Sequence, residues 1–184
     1  MLSQILVVSG TASGQTAKIS RFIVETLTNR GELPILIDGD NVPRDLSLEH
    51  FDGVIIGASV TRGRYQPCVR RFVAQYRDAL DTMPSAFFCA SGSAATPDAR
   101  GRGEARACID DFLRETGWHP ALIESLAGVI AFTKYNPFVR WILKQISKRN
   151  GGPTDTSRDH EFTDWSQVER FAEAFATTVL TRKT

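Results

Sequence analysis

The stretch Ser9-Gly-Thr-Ala-Ser-Gly-Gln-Thr16 constrains the fold more than any other part of the sequence. It follows the apolar run from Ile5 to Val8 and precedes a segment with helical periodicity. A strand that passes through small, hydroxyl-bearing residues into a helix gathers backbone N–H groups and hydroxyls at the positive end of the helix dipole. The sequence therefore predicts a strand–loop–helix unit whose loop binds a phosphate monoester.

Five short runs rich in branched and aromatic residues are predicted strands. They are Ile5 to Ser9, Leu33 to Asp38, Gly53 to Ser59, Ser85 to Ser91 and Leu122 to Ile130. The runs are continuous rather than alternating, which favours strands buried on both faces, and their spacing suits right-handed βαβ crossovers. We predict an α/β fold with a doubly wound, five-stranded parallel sheet.

Helical patterns separate these runs and close the chain. The first helix is predicted from about Ser13 to Asn29, with Gly31 just past its end. The others are predicted at Pro67 to Leu80, Gly103 to Thr116 and Trp165 to Leu180, the last with an apolar stripe of Val168, Phe171, Ala172, Phe175 and Val179. We expect one domain over residues 1–184, with an insertion at about residues 131–162 that is too long for an ordinary connection.

Composition excludes several classes of protein. A net charge of +1 over 184 residues excludes a globally polycationic nucleic-acid binder. Cys68, Cys89 and Cys108 show no C-x-x-C spacing, so the sequence predicts neither a disulfide framework nor a metal site. No apolar run approaches the roughly 18 residues of a membrane span, and we expect a cytoplasmic location.

The first loop also discriminates between phosphate ligands. It lacks the Lys-Ser/Thr pair of nucleotide triphosphatases, and G-x-G-x-x-G is absent, which weighs against ATP and NAD. Hydroxyls and amides without a local cation are the pattern of flavodoxins, whose ligand is flavin mononucleotide (FMN). The alternative is an ordinary strand-to-helix turn with an N-cap serine. The predicted phosphate-binding residues are Thr11, Ala12, Ser13, Gly14, Gln15 and Thr16.

Two later loops lie where they would clasp a flavin ring, because they follow the third and fourth predicted strands. The predicted ring-binding residues are Ser59, Val60, Thr61, Arg62, Gly63, Tyr65, Ala90, Ser91, Gly92 and Ser93. Tyr65 is placed to stack on or flank the ring. The alternative for Tyr65 is a surface or half-buried tyrosine, and Arg62 and Arg64 are either solvated or bind an anion.

With these loops in place, the chain resembles the bacterial quinone-dependent protoporphyrinogen oxidases (protoporphyrinogen IX dehydrogenases), a branch of the flavodoxin-like family. The similarity covers nearly the whole chain. It is carried by Ser13–Thr16, Val54–Ser59 followed by Gly63-x-Tyr65, Met83–Phe87, Trp118-x-Pro120, Ala127-Gly128, Gly151–Thr156 and Thr163-Asp-Trp165. The blocks on either side of the insertion are the more specific ones, because electron-carrier flavodoxins have no counterpart of them.

The resemblance implies a flavodoxin-like strand order of 2-1-3-4-5 and noncovalent FMN. It also implies the oxidation of protoporphyrinogen IX to protoporphyrin IX in haem biosynthesis, with electrons passing to ubiquinone or menaquinone. Two other functions stay open at this point. One is a flavodoxin-like FMN electron carrier, and the other is an NAD(P)H:quinone reductase.

The insertion is basic and amphipathic. No acidic residue occurs between Glu124 and Asp155. On a helix beginning near Pro137, a basic flank is opposed by an apolar side of Phe138, Val139, Ile142, Leu143 and Ile146, with Trp141 beside the flank. The residues predicted to contact substrate or membrane are Lys134, Arg140, Trp141, Lys144 and Lys148.

Three roles for this helix follow from the pattern. It lies on the anionic inner face of the cell membrane, or its basic flank holds the porphyrin propionates, or it packs on the domain's own core.

No side chain is predicted to be catalytic. His50, His119 and His160 are expected at the surface, and Cys89 is expected to be a small buried packing residue. The chemistry is assigned to the flavin, which the protein positions. The oligomeric state is not predicted.

Overall fold

The computed structural model describes residues 2–11, 14–60, 64–92, 99–130, 132–134, 136–149 and 153–182. Its centre is a five-stranded parallel sheet in the order β2-β1-β3-β4-β5. The strands are β1 (Gln4–Ser9), β2 (Leu33–Asp38), β3 (Gly53–Ser59), β4 (Ser85–Ser91) and β5 (Leu122–Ala127). The predicted fold class and strand order are confirmed.

Helices cover both faces of this sheet. They are α1 (Gln15–Asn29), α2 (Pro67–Thr82), α3 (Ala99–Thr116), α4 (Pro137–Arg149) and α5 (Trp165–Arg182). Compared with the predicted bounds, α2 and α5 each end two residues later and α3 begins four residues earlier. The apolar pattern ends before α2 and α5 do, because the last two residues of each helix are exposed and need no apolar side chain.

Two core layers form because successive residues of a buried strand point to opposite faces. Leu6 and Ile56 pack with α2 and α3, whereas Ile5 and Ile55 pack with α1 and α5. The predicted apolar stripe of α5 is buried throughout. Both faces of the sheet are therefore covered, as the continuous apolar runs predict.

Glycines in the left-handed region define both ends of α1. Gly14 is the N-cap residue with φ 86° and makes no side-chain capping bond, so the alternative of an N-cap serine is wrong. Gly31 follows the helix with φ 87°, and the next N–H, of Glu32, bonds to the Leu27 carbonyl at 3.0 Å. The predicted glycine stop is confirmed.

The fifth predicted run is not one strand. It breaks at Gly128, and the next two residues form β6 (Val129–Ile130), which pairs antiparallel with β7 (His160–Glu161). The Gly128 N–H bonds to the Ser91 carbonyl at 2.9 Å, and a Cβ there would lie 3.3 Å from the Ser91 nitrogen. The chain turns away at Gly128 because only glycine fits comfortably against the end of β4.

Within the insertion, short polar contacts hold the chain together. The backbone N–H and the hydroxyl of Thr133 each donate to Asp159 Oδ1 at 2.8 Å. The Ser147 hydroxyl donates to the Pro153 carbonyl at 2.7 Å. Among the helices in the described ranges, none is both long enough and apolar enough to cross a bilayer.

Candidate functional site

The loop between β1 and α1 presents bare backbone at the edge where the strand order reverses. The Gly10 N–H bonds to the Gly57 carbonyl at 2.8 Å, and a Cβ on Gly10 would lie 2.2 Å from Val69 Cγ2. The Gly14 N–H bonds to Thr11 Oγ1 at 2.8 Å, which folds the loop back onto the start of α1. These contacts leave the first-turn amides of α1, which have no intrahelical partner, facing the loop.

Two buried hydroxyls at this loop have no hydrogen-bond partner within the described part of the chain. They belong to Thr16, in the first turn of α1, and Ser9, at the end of β1. A buried, unpaired hydroxyl costs about 1–3 kcal/mol unless a ligand satisfies it. The first turn of α1 also has no acidic residue. This set of donors fits a phosphate monoester.

The nearby cation is engaged elsewhere. Lys18 Nζ lies 2.8 Å from Glu161 Oε2 and 5.0 Å from the ring centroid of Trp165. Lys18 is therefore not directed at the cup, which we define as the first loop and the first-turn amides of α1, and a phosphate site built there from hydroxyls and amides stays a prediction.

Gln15 is predicted to bind the cofactor, and in the structure its side chain is hydrogen-bonded to a distant part of the chain. Its side chain is buried, and Nε2 donates to Thr163 Oγ1 at 2.8 Å. The side chain thus reaches the residues that follow the insertion. Its backbone N–H still lies in the first turn of α1, where a phosphate role stays a prediction.

The loop after β3 is fixed at its base by Gln66. The Ser59 N–H donates to Gln66 Oε1 at 3.2 Å, and Gln66 Nε2 donates to Ser59 Oγ at 2.7 Å. Val60 is half-buried next to Ser59. Gln66 is the N-cap residue of α2 and was not predicted, because glutamine is not typical of helix N-caps and no other local signal identifies it.

The loop after β4 is held against the β5–β6 turn. Ala90 and Ser91 are buried, Gly92 is half-buried, and Ser91 accepts the bond from Gly128 described above. The ends of β3 and β4 lie side by side, with Ser59 opposite Ala90. The described parts of both predicted ring-binding loops therefore meet at one edge of the sheet.

Tyr65 lies in the core beneath these loops. Its ring centroid is 5.4 Å from that of Phe87 and 4.9 Å from that of Phe112, so the alternative of a surface or half-buried side chain is wrong. Burial, followed by the nearby Cys89, raises the pKa of Tyr65 far above its ordinary value. A stacking or flanking role against a flavin stays a prediction.

Cys89 is buried, as predicted, and burial raises the pKa of its thiol to about 12. The thiol is therefore neutral at physiological pH, which suits a packing role. His50 and His119 are exposed as expected, whereas His160 is half-buried between Phe132 and Phe162.

Some predicted site residues lie outside the described residues. They are Ala12, Ser13, Thr61, Arg62, Gly63 and Ser93, together with the side chain of Lys134.

Helix α4 carries the described part of the basic insertion. Arg140 and Lys144 are half-buried, and Arg140 Nε donates to the Phe132 carbonyl at 3.1 Å, while Lys148 is exposed. Three apolar side chains point to solvent, with exposed fractions of 70% for Phe138, 59% for Trp141 and 37% for Ile142. Phe138 and Ile142 belong to the predicted apolar side of α4 and are exposed, whereas the side chains of Val139, Leu143 and Ile146 lie outside the described residues, so packing of that side on the core stays an open alternative.

A parallel sheet in the order 2-1-3-4-5, with a phosphate-fitting cup where the order reverses, is the arrangement of flavodoxin-like proteins. A model of the flavodoxin domain matches residues 6–157, and the chain belongs to this flavodoxin-domain family. It is similar to oxidised Flavodoxin 1 from Bacillus cereus, with a TM-score of 0.58 and 19% identity over 95% of this chain and 98% of that one.

Two curated relatives are more similar to this chain in sequence. The chain is 34% identical to a protoporphyrinogen IX dehydrogenase [quinone] of Escherichia coli K12, over 93% of each chain. It is 29% identical to a protoporphyrinogen IX dehydrogenase [quinone] of Leishmania major, over 93% of this chain and 74% of that one. The predicted resemblance is confirmed.

Proposed function

We propose that this protein is an FMN-dependent dehydrogenase that oxidises protoporphyrinogen IX to protoporphyrin IX in haem biosynthesis and passes the electrons to a membrane quinone, ubiquinone or menaquinone. The observation that carries the proposal is the match to the E. coli protoporphyrinogen IX dehydrogenase over 93% of both chains. That relative is 34% identical to this chain, whereas the Bacillus cereus flavodoxin is 19% identical over a similar share of it.

The cup at the start of α1 supports FMN as the cofactor. Its donors are the first-turn amides, the Thr11 hydroxyl and the Thr16 hydroxyl, which has no partner in the parts of the chain that the structure describes. All are neutral, so the phosphate charge is stabilised by the helix dipole and by hydrogen bonds.

The loops after β3 and β4 support the ring site. Gln66 is hydrogen-bonded to Ser59, and the Gly128 N–H is hydrogen-bonded to the Ser91 carbonyl. The protein's own contacts therefore fix the last strand residue before each loop. A bound flavin supplies hydride acceptance and electron transfer to the quinone. The protein's own part is to orient the ring and cover it from water, with no side chain assigned as an acid or base.

Anaerobic mixing tests the reaction. FMN-loaded protein is mixed with protoporphyrinogen IX and, separately, with NADPH, while flavin absorbance and porphyrin fluorescence are followed. The proposal predicts flavin bleaching and rising porphyrin fluorescence with protoporphyrinogen, followed by recovery of flavin absorbance on adding a quinone. Bleaching by NADPH alone would favour an NAD(P)H:quinone reductase. Bleaching by neither compound would favour an electron carrier.

The membrane surface is the proposed location of the reaction. Phe138, Trp141 and Ile142 recur at i, i+3 and i+4, so they form one exposed apolar stripe on α4, and Lys148 and Arg149 are exposed on the same helix. Such a helix binds at the headgroup level of an anionic bilayer. This location brings the protein to the lipid quinone and to a poorly soluble substrate on the inner face of the cell membrane. Liposome flotation tests it.

A further inference from the structure

The first turn of α1 is hydrogen-bonded to the chain that leaves the insertion. Gln15 Nε2 donates to Thr163 Oγ1 at 2.8 Å, and the Thr163 hydroxyl donates to the Ala127 carbonyl at 2.9 Å. A hydroxyl has one proton to give, so Thr163 accepts from Gln15 and donates to Ala127. We call this chain of hydrogen bonds the Gln15–Thr163–Ala127 relay. It connects the first turn of α1 to the end of β5, just before the chain turns away at Gly128 toward the insertion.

A second link lies on the same side of α1. Lys18 Nζ donates to both carboxylate oxygens of Glu161, at 2.8 and 3.1 Å, and Glu161 is the last residue of β7. The hydrogen bond from Lys18 holds the pKa of Glu161 below its ordinary value, with further lowering by Gln15 and Trp165. Two side chains of α1 therefore contact the segment that closes the insertion, Gln15 at Thr163 and Lys18 at Glu161.

The Lys18–Glu161 ion pair and the Gln15–Thr163 hydrogen bond differ in how much they contribute to stability. The side chains of Lys18 and Glu161 are 53% and 34% exposed, and exposed ion pairs contribute little. Gln15 is only 8% exposed, so losing Thr163 as its acceptor deprives a buried amide of a partner, which is the costlier change. The relay is therefore the stronger of the two connections.

We propose that Gln15 and Thr163 are positioning residues that couple the phosphate cup to the insertion. The docked β6–β7 pair fixes the first turn of α1 in the geometry that binds phosphate. In return, phosphate bound at that turn stabilises the β6–β7 pair, because coupling between two sites is reciprocal. This inference rests on the proposed FMN function, and it gives the Gln15 side chain the role of connecting the cofactor site with the insertion.

The test compares Thr163→Val with Thr178→Val as a matched control. Both replace a hydroxyl by a methyl group of similar shape, but the Thr178 hydroxyl bonds only to the Ala174 carbonyl of its own helix in the described structure. FMN titration should give a Kd about ten-fold higher for Thr163→Val, which corresponds to one ordinary hydrogen bond, and less than about two-fold higher for the control.

Hydrogen exchange of the wild-type protein supplies a readout that a merely structural role would not move. FMN should slow exchange of the amides at residues 129–130 and 160–163. In Thr163→Val, FMN should slow them much less. Glu161→Gln, which removes only the exposed link, should raise the Kd by about two-fold and serves as the second variant if Thr163→Val does not fold.

The outcomes separate this inference from the proposed function. A wild-type protein that does not bind FMN contradicts the proposed function. A wild-type protein that binds FMN without slowing exchange at residues 129–130 and 160–163 overturns the coupling. An unchanged Kd in a folded Thr163→Val protein also overturns it.

Discussion

The cup and the insertion are ordered by different forces. At the cup, strands β1, β3 and β4 are almost completely buried, and even the hydroxyl of Thr16 lies out of contact with solvent. In the insertion, α4 exposes Phe138 and Trp141, and polar bonds to α1 and β5 connect the closing segment to the sheet. The comparison shows that packing orders the described parts of the sheet, whereas hydrogen bonds to α1 and β5 connect the segment that closes the insertion.

The largest expected effect is a loss of stability caused by a substitution in the buried strand β3. A Cβ on Gly57 would lie 2.1 Å from the Phe88 ring, in the middle of the sheet. Gly57→Ala forces that ring or β3 to move and should lower the free energy of unfolding by about 3 kcal/mol, the upper part of the range for overpacked cores. Urea denaturation followed by far-UV circular dichroism measures it.

Gly103→Ala is the matched control, because a Cβ there meets no atom within 4 Å. Gly103 lies inside α3, so alanine should raise the stability by about 1 kcal/mol. Equal changes in the free energy of unfolding for Gly57→Ala and Gly103→Ala would contradict the view that the sheet is rigidly packed around Gly57.

The next effect separates stability from cofactor binding at the cup. Thr16→Val removes a buried hydroxyl that has no partner in the described residues, so the FMN-free protein should be as stable as wild type or slightly more stable. The variant loses a hydrogen bond to a charged phosphate, so the FMN Kd should rise by about ten- to a hundred-fold. Fluorescence titration measures the Kd and thermal unfolding measures the stability.

Ser20→Ala controls for the loss of a buried hydroxyl as such. Ser20 is also buried in α1, and its hydroxyl has no hydrogen-bond partner among the described residues, but it lies beyond the first turn. Its replacement should leave the FMN Kd unchanged. If both variants bind FMN like wild type, the cup does not use Thr16.

A smaller effect is expected in the insertion, where affinity for a membrane should change without a change in stability. Phe138→Ser with Trp141→Ser removes most of the exposed stripe and should reduce binding to anionic liposomes by about ten-fold. The free energy of unfolding should stay within about 0.5 kcal/mol, as for exposed positions generally. Flotation and urea denaturation measure the two quantities.

Leu2→Ser is the control for this pair, since Leu2 is 62% exposed but lies before β1. It should float with liposomes as the wild type does. Undiminished flotation of the double variant would end the membrane role of α4.

The sheet was the part that sequence predicts best. The predicted strands Leu33–Asp38, Gly53–Ser59 and Ser85–Ser91 match the observed strands at both ends. Short, unbroken apolar runs bounded by turn residues indicate buried strands, and the turn residues define where the strands end. The break at Gly128 was not predicted. It depends on the close approach of Ser91, which is 37 positions earlier in the chain and has no local signal.

In the insertion, too, the contacts between distant residues could not be predicted from local sequence. Its helix is predicted by the 3.6-residue period, but the period does not say whether the apolar side meets protein, solvent or lipid. Strands β6 and β7 have two residues each and pair across 30 positions, so neither has a recognisable pattern. The direction of the Gln15 side chain is likewise set by Thr163, a contact that a local motif does not contain.

The smallest effect lies at the seam between the two regions, where Asp164 caps α5 directly after the insertion. Its carboxylate accepts hydrogen bonds from the Ser166 hydroxyl and from the N–H groups of Ser166 and Gln167, and these hold its pKa below the ordinary value, the hydroxyl bond most strongly. A lowered pKa means that the carboxylate stabilises the fold above about pH 4 and that this contribution is lost as the pH falls through the folded-state pKa.

Asp164→Asn keeps one acceptor oxygen but cannot titrate, so the drop in Tm between pH 7 and pH 3 should be smaller than in wild type. Asp45→Asn, on an exposed turn, should show the wild-type drop. If Asp164→Asn loses as much Tm as wild type does, the seam is held by the helix backbone and not by the carboxylate.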